Sequence, residues 1–163
     1  MPEWLPTQGS AKGRLVLAAL EAFGRQGFAA VSVADLARAA ETTTGPLYHH
    51  FDSKLGLYAL VREDVERRVL DRLEGALAVG AAATEALAAA FDYVARAGFA
   101  RMLAEPHPDG RADPVAALLT EHLGSAPAPL GAMLAAAWRA ALAASADGEA
   151  DDVVRAALRR LAA

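Results

Sequence analysis

The sequence predicts an all-α protein, and three observations support this class. Alanine is abundant, and it has the highest intrinsic helix propensity of the amino acids. Aromatic residues make up only 6% of the chain and β-branched residues are sparse, so few residues favour strands. Apolar residues recur three and four positions apart through most of the 163 residues, as they do along one face of a helix.

Composition limits the cellular setting and the kinds of site. Cysteine is absent, which excludes disulfides and thiolate metal sites and fits a reducing cytoplasm. No apolar run approaches the ~20 residues that span a bilayer. The first residues lack the basic start and apolar segment of a secretory signal. We therefore expect a cytoplasmic protein that does not contact a membrane.

The first segment of the chain is predicted to be a short tail followed by a helix. Residues 1–9 contain two prolines and polar residues, and we expect them to be flexible. The helix is predicted from about Ser10 to Gln26, with an apolar stripe at helical spacing. Gly27 is predicted to end it, because glycine adopts the left-handed C-cap conformation at little cost.

Two short helices and a long one are predicted next. Ser32 is expected to cap the second helix, and Thr43 the third. Pro46 falls in the first turn of the third helix, where a missing N–H does little harm. Leu47 and Phe51, four residues apart, are predicted to point inward. Ser53 is then expected to cap a fourth helix over about 54–79, whose charged segment REDVERRVLDRLE suits a surface exposed to solvent.

Four more helices complete the prediction. Gly80 marks a break, and a single fifth helix is expected over about 82–105. The segment EPHPDGRADP is predicted to be a loop, with His107 and its neighbours in solvent and no metal site. The remaining helices are predicted over about 114–123, 130–145 and 151–162.

Residues 14–61 resemble the tetracycline-repressor (TetR) family of transcriptional regulators. The residues that carry the resemblance are Ala18-Ala19, Phe23, Gly27-Phe28, Ser32-Val33, Leu36-Ala37, Thr43, Gly45, Leu47-Tyr48, His50-Phe51 and Ser53-Lys54. The resemblance implies a three-helix helix-turn-helix head at 10–53. It also implies that the long fourth helix joins this head to a small helical body at 54–163, which binds an effector and dimerises.

The resemblance implies which residues contact DNA. They are Ser32, Thr43, Thr44, Gly45, Pro46, Tyr48, His49 and Lys54. Thr43 and Thr44 begin the third helix, where free N–H groups favour a phosphate oxygen. Thr44, Pro46 and His49 are expected to meet base edges in the major groove. Tyr48, Lys54 and Ser32 are expected to contact phosphates, and Gly45 to let the backbone approach the duplex.

Two features depart from the family pattern. The turn position that is usually glycine holds Glu41, for which a left-handed conformation costs ~1 kcal/mol. The next position, usually a buried valine, holds Thr42. Residues 1–54 also carry five basic and five acidic residues, so the head is formally neutral. These departures predict DNA binding that is weaker or more dependent on sequence.

The body is expected to supply an effector pocket and a dimer interface. The pocket is expected to be small and mostly apolar, with a lining of Phe91, Tyr93, Val94, Met102 and Trp138. The interface is expected to be a four-helix bundle from the last two helices of each subunit. Its residues are Leu130, Met133, Leu134, Ala137, Leu142, Val154, Leu158 and Leu161.

The sequence therefore predicts a dimeric transcriptional repressor that binds a pseudo-palindromic operator in double-stranded DNA. A small apolar effector would release it, and no cofactor is expected. An alternative is a DNA-binding regulator without an effector, controlled by a protein partner. An enzyme is the least favoured reading, because no nucleophile–base pair, phosphate-binding loop or metal-ligand spacing is present.

Overall fold

The computed structural model describes residues 9–124, 127 and 129–161, and these residues fold into helices joined by turns. The helices are α1 (Ala11–Ala30), α2 (Val33–Ala39), α3 (Gly45–Phe51), α4 (Lys54–Ala78), α5 (Ala83–Ala97), α6 (Ala100–Ala104), α7 (Pro114–Leu123), α8 (Leu130–Ala146) and α9 (Asp151–Arg160). This confirms the predicted all-α class. The predicted tail falls outside the described residues, apart from Gly9. None of the described helices combines the length and the apolar character needed to cross a membrane.

Apolar side chains of α1, α2 and α3 form one core with the first turns of α4. Leu15 and Phe23 of α1, Leu36 of α2, and Leu47 of α3 are completely buried, and Phe51 is 8% exposed. Burying each such side chain contributes roughly 1.5–3 kcal/mol. The inward direction predicted for Leu47 and Phe51 is therefore confirmed, and the opposite face of α3 is turned to solvent.

Serine caps begin α2 and α4 as predicted. The Asp35 N–H donates to Ser32 Oγ over 3.1 Å, and the Ser32 N–H donates back to the Asp35 carboxylate, which completes a capping box. The Gly56 N–H donates to Ser53 Oγ over 3.0 Å. The cap predicted for α3 was wrong by one residue. Thr44 rather than Thr43 precedes the helix, and Thr44 makes no side-chain cap hydrogen bond.

Gly27 interrupts α1 but does not end it. Its φ of 79° and ψ of 176° lie outside the helical region, and the helix resumes as far as Ala30. The sequence predicted the break but not the extra turn beyond it. A Cβ atom at Gly27 would lie 2.0 Å from Glu105 Oε1, so a side chain of the body fills the space that glycine leaves open.

The single helix predicted over 82–105 is two helices. Gly98 adopts a left-handed conformation with φ 76°, and the Phe99 N–H donates to the Val94 carbonyl over 3.0 Å. This arrangement satisfies carbonyls at the end of α5 and turns the chain before α6 begins. Periodicity did not reveal the break because apolar residues continue at helical spacing on both sides of Gly98.

The charged segment of α4 is not a uniformly solvated surface, which corrects the prediction. Arg62, Asp64 and Glu66 are 0%, 3% and 5% exposed. The chain from α6 to α7 covers this side of α4, and Arg62 donates to the carbonyls of Glu105 and Pro106. Buried charges need such partners, because an unpaired charge is expensive to remove from water.

The helices of the body pack around the second half of α4. The predicted boundaries of the last three helices agree with the structure to within two residues. α5 lies between α4 and α9, and α8 packs against both α6 and α7. The approach of α7 to α8 is closest at Gly131, where a Cβ atom would lie 2.5 Å from the Thr120 backbone nitrogen. The body thus has its own apolar core, continuous with that of the head along α4.

Candidate nucleic-acid interface

The outward face of α3 presents a continuous polar surface. Thr43, Thr44, Gly45, Tyr48 and His49 are all exposed, and the Tyr48 side chain stands in solvent at 53% exposure. Pro46, predicted to meet bases, is partly buried in the first turn. Five of the eight residues expected to contact DNA therefore lie together on one accessible face at the start of α3.

The turn between α2 and α3 has the left-handed residue that the sequence suggested. Glu41 has a φ of 49°, in the region that favours glycine. The turn is closed by the Glu41 N–H to the Arg38 carbonyl at 3.1 Å and the Thr42 N–H to the Ala37 carbonyl at 2.9 Å. Thr42 is half-buried, as expected for a position that usually holds valine.

Replacing Glu41 by glycine should therefore stabilise the protein. The strain of a left-handed glutamate is about 1 kcal/mol, and glycine removes it. The expected result is a free energy of unfolding higher by about that amount, measured by urea denaturation. Glu121→Gly makes the same substitution within the regular helix α7, and this control variant should have a lower free energy of unfolding. A loss of stability in Glu41→Gly would contradict the assignment of strain to this residue.

Ser32 and Lys54 are already engaged within the head. The Ser32 hydroxyl donates to the Asp35 carboxylate over 2.5 Å, and hydrogen bonds from Ser32 and Arg38 hold the pKa of Asp35 below 3.8. Lys54 Nζ donates to the carbonyls of Phe28 and Val31, each over 2.9 Å. One of its three donors is then left for a phosphate. Both residues therefore have a structural role: the sequence predicted the cap formed by Ser32 but not the carbonyl contacts of Lys54.

The two histidines of α3 are exposed and contact each other. The His49 and His50 rings are 4.9 Å apart, and His50 also lies 6.1 Å from the Phe51 ring. The His50 side chain is exposed to solvent and is not packed against a neighbouring helix. Across the described part of the chain, no group of three His, Cys, Asp or Glu side chains is arranged to hold a metal ion.

The comparison with known families bears directly on this interface. Residues 15–61, which span α1 to the start of α4, match the family described as "Bacterial regulatory proteins, tetR family". This segment of the chain therefore has the sequence of the tetR family. The match supports a DNA-binding transcriptional regulator, and the exposed α3 is the second helix of the helix-turn-helix.

Solved structures share the fold over almost the whole length of this chain. A TetR-like transcriptional regulator from Rhodococcus sp. RHA1 is 22% identical, with 97% of this chain and 96% of that chain covered and a TM-score of 0.68. A TetR-family regulator from Pectobacterium atrosepticum is 22% identical, with 96% and 94% covered and a TM-score of 0.58. A gamma-butyrolactone receptor described as an ArpA-like protein is 18% identical, with 93% and 94% covered and a TM-score of 0.55. The body therefore shares their fold as well as the head.

Four of the five residues expected to line an effector pocket are core residues. Phe91, Val94 and Met102 are completely buried, and Trp138 is 1% exposed. Tyr93 is half-buried, with its ring 3.6 Å from the Arg72 guanidinium carbon. The four buried side chains thus lie in the apolar core of the body, and their role as a pocket lining stays a prediction.

A cavity of about 430 Å³ lies on the other side of α4, against the chain that leads into α7. Its lining residues are Leu60, Glu63, Asp64, Glu66, Arg67, Leu70, Arg111, Ala112 and Pro114. The lining thus combines apolar side chains with charged groups of both signs.

The residues expected at the dimer interface divide into two groups. Leu134, Leu142, Val154 and Leu158 are at most 9% exposed and close the core of this chain. Leu130 and Ala137 are partly buried, whereas Met133 and Leu161 are 63% and 52% exposed. Val153, which was not predicted, is 59% exposed on α9. The inward stripes of α8 and α9 thus belong to the monomer, and only their outward faces remain free.

His107 connects the loop before α7 to α4, contrary to the predicted solvent exposure. Its side chain is 4% exposed, its Nε2 lies 2.8 Å from Glu66 Oε1, and its Nδ1 accepts from Arg111 Nε over 2.8 Å. Because Nδ1 accepts, the proton of the neutral ring is on Nε2, facing the carboxylate. Burial and then the charge of Arg62 lower the pKa of His107 below 6.5, against an opposing effect of Glu66.

Stability should consequently fall on mild acidification. A histidine whose pKa is lowered by folding binds its proton more readily in the unfolded chain, so stability is lost as the pH falls below about 6.5. The charged groups around it are Arg62 and Glu66 on α4, Arg139 on α8, and Asp109 and Arg111 on its own loop.

The measurement is urea denaturation of the wild type and His107→Gln between pH 7.5 and pH 5. The stability of His107→Gln should change less with pH than that of the wild type. His122→Gln, which replaces an exposed histidine, is the matched control and should follow the wild type. Identical pH profiles for the wild type and His107→Gln would show that His107 does not contribute.

Proposed function

We propose that this tetR-family regulator binds a pseudo-palindromic operator as a homodimer and represses transcription until a small molecule enters its body. Residues 10–53 form the DNA-binding head in this proposal, and residues 54–163 form the effector-binding and dimerisation body. The observation that carries the proposal is that α3, the second helix of the segment that matches the tetR family, keeps its outward residues exposed, as a helix that enters the major groove must.

The proposed contacts follow from the exposure of each side chain. The start of α3, with Thr43 and Thr44, faces a phosphate or a base edge, and Gly45 permits close approach of the backbone. His49 reads bases in the major groove, beside Pro46. Tyr48 donates its hydroxyl to a phosphate. Ser32 and Lys54 contribute less, because their donors are largely used inside the head.

Dimerisation is proposed through the outward faces of α8 and α9. Met133, Val153 and Leu161 are large apolar side chains more than half exposed in this part of the chain, and contact with a second subunit would remove them from water. Exposed alanines lie beside them at Ala136 and Ala140, where two helices could approach closely. Pairing of the two helices in each subunit then forms a four-helix bundle with two-fold symmetry.

The effector is proposed to enter the cavity between α4 and α7. A volume of about 430 Å³ suits a small molecule. Leu60, Leu70 and Pro114 offer an apolar wall, while Glu66 and Arg111 offer polar groups, so the effector should carry both kinds of surface. The structural likeness to a gamma-butyrolactone receptor supports a small-molecule effector over a protein partner.

The test is selection of bound DNA from a random library, followed by affinity measurements on the selected sequence. Tyr48→Phe should lower affinity about tenfold, because one hydrogen bond to a charged phosphate is lost. The loss should be nearly the same for all sequences, so the selected motif should not change. Tyr93→Phe makes the same change in the body and should leave affinity unaltered. Failure of the wild type to select any sequence would contradict the proposed function.

A further inference from the structure

We propose that the Glu105 carboxylate is a latch that fixes the head to the body and thereby sets the spacing between the two heads of a dimer. This inference rests on the proposed function as a dimeric operator-binding protein. α4 runs through both head and body, and α1 of the head also packs against α6 of the body. Packing of small and apolar residues between these two helices permits small sliding movements, whereas a directional hydrogen bond between them fixes one position.

The latch contact joins the end of α6 to the kink of α1. Glu105 Oε2 accepts a hydrogen bond from the Phe28 N–H over 3.0 Å, although the two residues are 77 positions apart. The other oxygen, Oε1, occupies the space where a Cβ of Gly27 would lie. Gly27 with its φ of 79° therefore forms the seat for the carboxylate. The break in α1 therefore makes room for Glu105 of the body, which the packing of α1 itself does not require.

Phe28 transmits the position of the latch to the helix-turn-helix. Its carbonyl accepts from Lys54 Nζ over 2.9 Å, and its ring lies 4.1 Å below the same ammonium group. Lys54 also binds the Val31 carbonyl, directly before the cap of α2. The Phe28 ring contacts the Tyr58 ring at 4.9 Å. A shift of Glu105 would consequently move the junction from which α2 and α3 start.

On the body side, a buried arginine holds the backbone of the latch. Arg62 donates through Nη2 to the Glu105 carbonyl over 2.7 Å and through Nη1 to the Pro106 carbonyl over 3.1 Å. Its Nε donates to Glu66 Oε1 over 3.0 Å. Glu66 and Arg111 also line the cavity beside α4. A molecule that displaces Glu66 would therefore weaken the hydrogen bonds by which Arg62 holds the backbone of the latch.

The first test measures head position without DNA. The chain contains no cysteine, so Ala34→Cys in α2 and Ala117→Cys in α7 provide two exposed sites for spin labels. Labelled protein is diluted with unlabelled protein, so that double electron–electron resonance measures only distances within one subunit. Glu105→Ala should broaden the distance distribution. Glu105→Gln should keep it narrow, because its side-chain carbonyl still accepts from the Phe28 N–H.

Two further variants separate the latch from general destabilisation. Gly27→Ala leaves Glu105 in the sequence but fills its seat, and it should broaden the distribution as Glu105→Ala does. Glu121→Ala removes an exposed carboxylate from α7 and should change nothing. An unchanged distribution in Glu105→Ala, or a glutamine variant as broad as the alanine variant, would overturn the latch.

The second test measures the spacing between half-sites in DNA selected from a random library. Glu105→Ala should select the same half-site bases as the wild type. Its preference for one spacing over spacings changed by one base pair should fall about tenfold, as expected for loss of a charge-assisted hydrogen bond. Undiminished spacing preference would overturn the proposal. If the wild type selects no paired half-sites, the proposed function fails, and the distance distributions alone decide whether the latch holds the head.

Discussion

Replacing Arg62 by leucine should lower the free energy of unfolding by about 3–5 kcal/mol, a large share of the stability of a small domain. The arginine side chain is completely buried, and it donates to Glu66, Tyr58 and two backbone carbonyls. Leucine fills part of the space but leaves the Glu66 carboxylate, only 6% exposed, without this partner. The carboxylate keeps His107 and Arg111 beside it but loses its completely buried cation. The carbonyls of Glu105 and Pro106 lose their donor as well, and unpaired buried polar groups are expensive.

Urea denaturation followed by circular dichroism measures this loss. Arg25→Leu makes the same exchange at a position of α1 whose side chain is 72% exposed and should cost less than about 0.5 kcal/mol. Arg62→Leu combined with Glu66→Gln should cost less than the sum of the two single variants, by about 1–3 kcal/mol. Strictly additive losses would show that the two side chains do not stabilise each other.

Replacing Trp138 by alanine should cost about 3–5 kcal/mol. The indole is 1% exposed in the apolar core that also contains Phe91 and Met102. Its Nε1 has no hydrogen-bond partner among the residues that the structure describes. Most of its contribution is therefore packing, and Trp138→Phe, which removes the N–H but keeps a ring, should cost much less than Trp138→Ala.

Thermal and urea denaturation of the two variants distinguish a core residue from a pocket residue. Truncation of a tryptophan on the wall of an open cavity lowers the free energy of unfolding only slightly, because water already reaches one side of its ring. Val79→Ala, at a position 84% exposed directly after α4, should leave the unfolding free energy nearly unchanged. A loss of less than about 1 kcal/mol of unfolding free energy in Trp138→Ala would indicate that Trp138 borders a pocket rather than the core.

The head could be predicted from the sequence because its signals are local. Ser32 with Asp35, and Ser53 before α4, are caps whose partners lie three residues away. The spacing of Leu47 and Phe51 is likewise a property of one short helix. The error at Thr43 has the same origin, since three consecutive threonines offer equivalent caps and the backbone of the preceding turn decides between them.

The body was predicted less well because its decisive contacts join distant parts of the chain. Arg62 and Glu66 stand four residues apart, a spacing that suits a solvated ion pair as well as a buried one. Only the loop that brings Glu105 and Pro106 over them makes the pair buried. The apolar stripes of α8 and α9 were assigned correctly as stripes, but periodicity does not tell whether a stripe faces its own core or a second subunit.

The engagement of Lys54 by two carbonyls also bears on how this protein would search a genome. A formally neutral head with one of its lysines turned inward releases few counterions when it meets DNA. Sequence-independent attraction is then weak, and little of the protein is held on random DNA. Its occupancy of a cognate site would change less with ionic strength than that of a strongly basic repressor, at the cost of slower encounter.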